Sequence, residues 1–595
     1  MKTYASKSAG RLVDIAIRRS LSSLICILCF GLTIQSGFAG SATWQLDPIS
    51  GDWNTAANWM PNTVPNGPSD TATFAASNLT AVALSSNVDV NGIVFDTGAS
   101  AFSVTTPPSL RLRVSGTGIT NNSGVVQQFV LTAEDALFGD RGTMRFTNTA
   151  SAGELTTYTN AHGIVGFLDS ASAAGATFIN EGNQTLGWVG VTFFSGDSSA
   201  GNATFYNNGS AAAFHYGGMT NFYDSSTGAN GNFIIDGAVA VEGFGAVVRF
   251  FNTSTAGNAT FTVNGGEPSF YGEGGGQLGF LDYATADNCT IIANGSDVGG
   301  NGAFIVFQDG SHSSMGNATI ILNGGATSGS TLQVGGSVDG GTARVAVYDN
   351  AIMNFFDCCS GGTANLTIGS LEGNGLIELY EHNLTIGSNN LNTTFAGRIT
   401  GEDGAGLTKI GSGTLTLSGG STYSGGTIVE AGVLEVANKS VSATGSGSVV
   451  VKGGTLAGKG IITGGVDVGG EGLPALLAPG QAAGGSGRLN IAGALSFFAD
   501  ANYVWNVQPA AAMADQVIAN GVVIGEGALF SAVALDNGLL PVGIMLTAIE
   551  NSSATPISGS FTNLADGAII TVGANSYQAS YEGGDGNDLT LTVVE

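Results

Sequence analysis

The chain has 595 residues, 95 of them glycine, with only 10% charged residues and a formal charge of −27. Disordered chains combine low hydrophobicity with many charges, so this composition excludes them and assigns the glycines to turns of a folded protein. The acidic balance argues against nucleic acid, whose phosphates demand a basic surface, and against anionic membrane surfaces.

Residues 1–39 read as an export signal. Lys2, Lys7, Arg11, Arg18 and Arg19 form a basic region, Leu21–Ile34 is apolar, and Gly37 and Ala39 precede a cleavage point. The apolar run is short for a spanning helix, and no later stretch resembles one. Removal of the signal leaves 12 basic against 43 acidic residues, a net charge of −31. Of five cysteines, Cys289, Cys358 and Cys359 remain. They are too few for a disulfide framework and read as structural thiols.

Residues 40–120 hold three of the five tryptophans, Trp44, Trp53 and Trp59. They read as an N-terminal β cap, because a solenoid must close its first coil against edge-to-edge pairing. Residues 121–400 carry an internal repeat. Phe167, Phe194, Phe222, Phe250, Phe280 and Phe307 follow one another at 27 to 30 residues. Phe178, Phe205, Phe233, Phe261, Ile291 and Ile320 form a second ladder moving in step with the first. Four residues after each member of the second ladder stands a glycine, from Gly182 to Gly324, preceded by Asn, Asp or Glu. Asn-Gly pairs suggest corners at positive φ. The pattern predicts an all-β protein. It is a right-handed parallel β-helix with coils of about 28 residues, each with room for three strands, and Phe and Ile columns stacked inside. After residue 470 the period fades, and 471–595 read as a separate C-terminal all-β domain.

Residues 401–470 lie between. Here Leu407-Thr408-Lys409, Gly413-Thr414-Leu415-Thr416-Leu417, Tyr423-Ser424-Gly425-Gly426 and Ala431-Gly432-Val433-Leu434 stand in one run. This run resembles the autotransporter-associated β-strand repeat of bacterial surface proteins. The resemblance implies an exported β-helical passenger, an extracellular or cell-surface stalk with periplasmic residence as an alternative, and it implies no enzymatic activity. A translocator barrel is not expected in the roughly 120 residues that follow, since such barrels continue ten-residue alternating strands over a long domain.

β-Helices also carry polysaccharide lyases and glycoside hydrolases, whose chemistry needs clustered carboxylates. The first ladder offers Asp169, Asp224, Asp282 and Asp309, each two residues past a Phe. Of these, Asp224, Asp282 and Asp309 are the candidate catalytic groups. The competing reading is that Asp and Asn end strands and bond their own turns. His162, His215, His312 and His382 are scattered without metal-ligand spacing. Trp44, Trp53 and Trp59 could stack on sugars or pack the cap. Gly583-Gly584-Asp585-Gly586-Asn587-Asp588 resembles one copy of a calcium-binding nonapeptide, which makes Asp585 and Asp588 candidate calcium ligands. The sequence therefore predicts an exported, non-enzymatic structural or adhesion protein whose partners are cell-surface components or polysaccharide. A polysaccharide-cleaving enzyme using stacked Asp residues is the alternative.

Overall fold

The computed structural model describes residues 40–594, apart from 135–138, 184–186, 270, 309–311, 336, 357–364, 403 and 481–484. The expected signal, Asp309 and the Cys358-Cys359 pair lie outside the described residues. Strands dominate; the helical elements among the described residues are two 3-10 turns, Ala56–Asn58 and Pro509–Ala511. The strands are short and rich in Thr, Val, Ile and Phe, which suit a half-buried pleated surface. Thr260–Val263 and Thr319–Leu322 both alternate half-buried and buried residues.

These strands stack as a parallel β-helix. A first sheet of 16 strands begins at Trp59–Met60 and Ala42–Trp44 and ends at Arg398–Thr400. Its opening pair is antiparallel, and the pairings that follow are parallel. A second ladder of parallel strands runs from Ala81–Ala83 to Leu529–Ala534. In the middle of the solenoid one coil comprises Val247–Phe250 in the first sheet, a single bridging residue, Thr255, and Thr260–Val263 in the second sheet. The third strand expected per coil is thus reduced to one residue. The reason is a tight corner: the Thr255 hydroxyl accepts the N–H of Gly257 at 3.1 Å, and Gly257 has φ +64°. Ser199 and Thr285 make the same bond to Gly201 and Asp287.

A third sheet of eight strands, Asn365–Ile368 to Val522–Ile524, takes over from the first. Leu384, Leu407, Thr427 and Val449 are partners in its successive coils, so here the coils shorten to 20–23 residues. A fourth sheet begins in parallel at Ile461–Ile462. It ends in an antiparallel meander in which Met545–Asn551 pairs Asp588–Val593, then Asn575–Gly583, then Ile569–Val572. Strand pairing crosses the boundaries drawn at 120, 400 and 470: Leu112 pairs Met144, Phe395 pairs Leu417, and Leu456 pairs Leu477. Residues 40–120 and 471–534 therefore contribute coils to the same ladders. The antiparallel closures are confined to the Trp59–Met60 pair and the final meander.

The core is a pair of aromatic columns. Both predicted ladders are in register, strand to strand, from Phe167 to Phe307 and from Phe178 to Ile320. Every member is buried. Phe194, Phe222 and Phe250 stack with ring centroids 4.6 and 4.4 Å apart and planes within 5°. The two columns meet edge to face; Phe222 and Phe233 lie 5.8 Å apart at 73°. Offset stacks and T-shaped pairs are the two arrangements the ring quadrupole favours. The columns extend upstream of the predicted repeat through Phe146 and Tyr158. Beside them runs a buried amide ladder, in which Asn160 donates to Asn180 at 3.1 Å and Asn180 to Asn207 at 2.9 Å. Thr192 and Thr220 close it by donating to Asn180 and Asn207. Further along, Ile235 and Val263 replace the amides.

The Asn-Gly corners need a correction. None of the glycines from Gly182 to Gly324 in that series, nor the residue before each, has positive φ. Glycine is required instead by close approach: a Cβ on Gly265 would stand 2.6 Å from the carbonyl oxygen of Gly295 in the next coil. Positive φ falls at the other corner, on Asp169, Asp224, Asn252 and Asp282.

Two outcomes test this packing. Phe250→Ala should destabilise the protein by about 3–5 kcal/mol in a reversible denaturant titration. A loss below about 0.5 kcal/mol would contradict the buried column. Gly265→Ala, which places only a methyl group against the Gly295 carbonyl, should cost about 1–3 kcal/mol by overpacking. An unchanged unfolding midpoint would remove the close-approach argument.

Candidate functional site

The carboxylates of the first ladder do not converge on a common point. Asp169, Asp224 and Asp282 follow their buried phenylalanines at φ 57°, 55° and 56°, the left-handed region that Asp and Asn tolerate. Asp224 Oδ2 accepts the Ser195 hydroxyl at 2.6 Å and the Gly196 N–H at 3.0 Å. Asp282 Oδ2 accepts the Asn252 N–H at 2.9 Å, and Asp169 Oδ2 the Asn148 N–H at 2.8 Å. Each carboxylate ties its own turn to the turn of the coil before. The Ser195 hydroxyl, and after it the Gly196 N–H, hold Asp224 below the usual carboxylate range. A general acid needs the opposite shift. Asp309 lies outside the described residues.

The remaining candidates are scattered. His382 is buried and stacks on Phe355 at 5.2 Å, and His312 stacks on Tyr283 at 5.2 Å. The Cys289 thiol is buried in the core, and burial pushes it far above its ordinary value. Trp44, Trp53 and Trp59 are buried and pack around Phe74, with ring centroids 5.5–5.9 Å from it. Their indole N–H groups donate to the carbonyls of Leu79, Pro65 and Trp53. These rings close the first coil and present no face to a sugar. Asp588 is buried, accepts the Asn551 N–H at 2.9 Å, and is raised above the ordinary carboxyl value by burial; Asp585 is exposed on the hairpin turn. Among the described residues no group of three or more His, Cys, Asp or Glu is placed to hold a metal ion.

Sequence reasoning missed the outward face of the second sheet, although its signal has the same period as the phenylalanines. The segments Asn258–Asn264, Asn288–Asn294 and Asn317–Asn323 read NATFTVN, NCTIIAN and NATIILN. Their inward residues line the core. Their outward residues form four columns: Asn, Thr, Ile or Thr, and Asn again. In the first amide column Asn288 donates to Asn258 at 3.4 Å and Asn317 to Asn288 at 3.0 Å. In the second, Asn294 donates to Asn264 and Asn323 to Asn294, both at 2.9 Å. The second column borders an open depression of about 330 Å³ lined by Asp236, Val239, Asn264, Glu267 and Val298. A further depression of about 500 Å³ lies where Tyr348, Glu372, Asn392, Thr394 and Thr416 meet. At the next corner, loops between coils expose Phe214, Tyr216, Val239, Val241 and Tyr271, with Phe214 64% and Tyr271 68% accessible.

Comparison with known proteins bears on the shorter coils. Residues 407–436 match the family model Passenger-associated-transport-repeat. The chain carries a passenger repeat. The match falls on the residues that carry the sequence resemblance. Over 325 residues the chain is 30% identical to the Adhesin BmaC autotransporter of Brucella suis biovar 1 (strain 1330), covering 51% of this chain. It spans 9% of that relative's length. The crystal structure of the Haemophilus influenzae Hap adhesin aligns with 88% of this chain and 63% of its own, at 11% identity and a TM-score of 0.26.

Within the passenger repeat, strands Leu407–Lys409 and Thr427–Val429 belong to the third sheet, and Thr414–Leu417 and Val433–Val436 to the second. Lys409 points inward at 1% exposure, and burial lowers its ammonium to about 8. Its Nζ donates to the carbonyls of Ile410 at 2.6 Å, Gly411 at 3.0 Å and Ala431 at 3.2 Å. One side chain thus clamps its own turn and that of the next coil. Tyr423 is likewise buried, its hydroxyl 2.6 Å from that of Thr427. Lys409→Ala strips three carbonyls of a donor and should cost about 1–3 kcal/mol. Equilibrium unfolding that shows no loss would mean the clamp contributes nothing.

Proposed function

We propose that this chain is an exported β-helical passenger that acts at the cell surface or outside the cell in adhesion, without catalysis. The observation that carries the reading is the passenger repeat built into an unbroken parallel β-helix. The 30% identity to an autotransporter adhesin supports it. The engagement of Asp224 and Asp282 in turn-to-turn hydrogen bonds supports the non-catalytic part. No described helix is long and apolar enough to cross a membrane. A solenoid suits this role because each coil contacts only its neighbours, so a long outer surface is held out with one repeated packing solution.

Protease treatment of intact native cells, with immunoblotting of cells and medium, locates the protein. It should be degraded at the surface or recovered from the medium. Cells lacking it should attach several-fold less well to the surface they colonise. Recovery only from the cytoplasm, or unchanged attachment, would overturn the reading.

A further inference from the structure

The outward face of the second sheet between Asn258 and Asn323 is a regular, uncharged array on a protein of net charge −27. We infer that this face binds a neutral, extended polysaccharide chain lying along the solenoid axis. This rests on the adhesive reading above and names its ligand class.

The first argument is hydrogen-bonding capacity. A side-chain amide has two donor hydrogens and two acceptor lone pairs. Each interior member of an amide column spends one donor on one neighbour and one lone pair on the other. One N–H and one lone pair per amide stay available to a ligand. Between the columns stand Thr260, Thr290 and Thr319, partners in successive coils, which add hydroxyls that both donate and accept. The spacing along the axis is the strand spacing of about 4.8 Å. That is close to the advance per ring of an extended sugar chain, so equivalent groups meet successive rings.

The second argument is the apolar stripe. Thr262, Ile292 and Ile321 are also partners in successive coils and are half-buried on this outward face. Sugar rings present C–H faces as well as hydroxyls, and a methyl stripe flanked by amides and hydroxyls complements both.

The third argument is charge. None of the outward residues in these three segments is ionisable. An acidic glycan would be repelled by the net charge of the protein and would find no basic residue on the face. A neutral glycan meets neither cost. The depression of about 330 Å³ beside Asn264 gives the chain a place to seat a branch or an end.

The test is affinity electrophoresis of the full purified protein in gels containing dextran, galactomannan or xyloglucan, with alginate and polygalacturonate as acidic counterparts. At least one neutral polymer should retard the parent protein. Thr260→Arg, which puts bulk and charge in the middle of the face, should weaken that retention by about tenfold or more, equivalent to about 1.4 kcal/mol. Asn258→Ala, a milder change, should weaken it several-fold. Val241→Ser on the neighbouring loops should leave it unchanged. Retention by none of the neutral polymers, retention by the acidic ones only, or full retention by both Asn258→Ala and a folded Thr260→Arg would each overturn the inference. Because the assay uses purified protein, it can fail while surface location and attachment stand, and it can succeed if they fail.

Discussion

Two lengths coincide in this protein, and the rest of the fold depends on it. Parallel strands sit about 4.8 Å apart in the hydrogen-bonding direction. Aromatic rings in contact stack at nearly the same separation, and the phenylalanine columns here repeat at 4.4–5.1 Å. A phenylalanine placed at the same position in every coil therefore satisfies backbone pairing and ring stacking together, with no rotamer change between coils. Amides obey the same rule. Asn side chains in neighbouring strands reach each other at 2.9–3.4 Å, inside the core and outside it. The sequence can vary between ladders but must be conservative along each one.

That constraint explains what could be read from the sequence. The register of Phe222 against Phe250 follows from spacing alone, because a one-residue slip would turn the ring outward. The buried position of Ile291 follows in the same way. The role of the corner glycines did not follow. Sequence shows that Gly265 recurs with the period, but whether glycine answers a dihedral angle or a neighbour depends on the Gly295 carbonyl 30 residues away. Positive φ was sought at Asn-Gly and occurs at Asp224 and Asp282, the residues that chemistry had singled out as acids. Their carboxylates were legible, whereas the Ser195 and Asn252 donors that occupy them lie in the previous coil. The domain boundaries near 400 and 470 arose because coils shorten from about 28 residues to 20–23 around Leu407 and Thr427. A change of period looks like an ending when only the period is followed.

The passenger repeat acquires a physical meaning in this setting. Its Lys409 replaces an inward apolar residue with a donor that satisfies three carbonyls across two coils. In the long coils such turns are held by Asp and Asn side chains acting from the outside. Shorter coils have less loop with which to reach, and the clamp moves indoors. Both solutions leave the outer faces free to carry rows of identical side chains, which is the property an adhesive surface needs.

In-register parallel strands, stacked rings and stacked amides are also the ingredients of amyloid, which grows because each end offers a template for the next chain. Here the ends are spoiled as templates. At one end Trp59–Met60 lies antiparallel on Ala42–Trp44. At the other, the amide of Asn563 bonds both the N–H and the carbonyl of Phe530 in the last strand of the second sheet, at 2.8 Å each. The fourth sheet turns antiparallel before it stops. A fibril core has thus been given a first and a last layer, so that its cohesion serves a single molecule of defined length and does not propagate to the next.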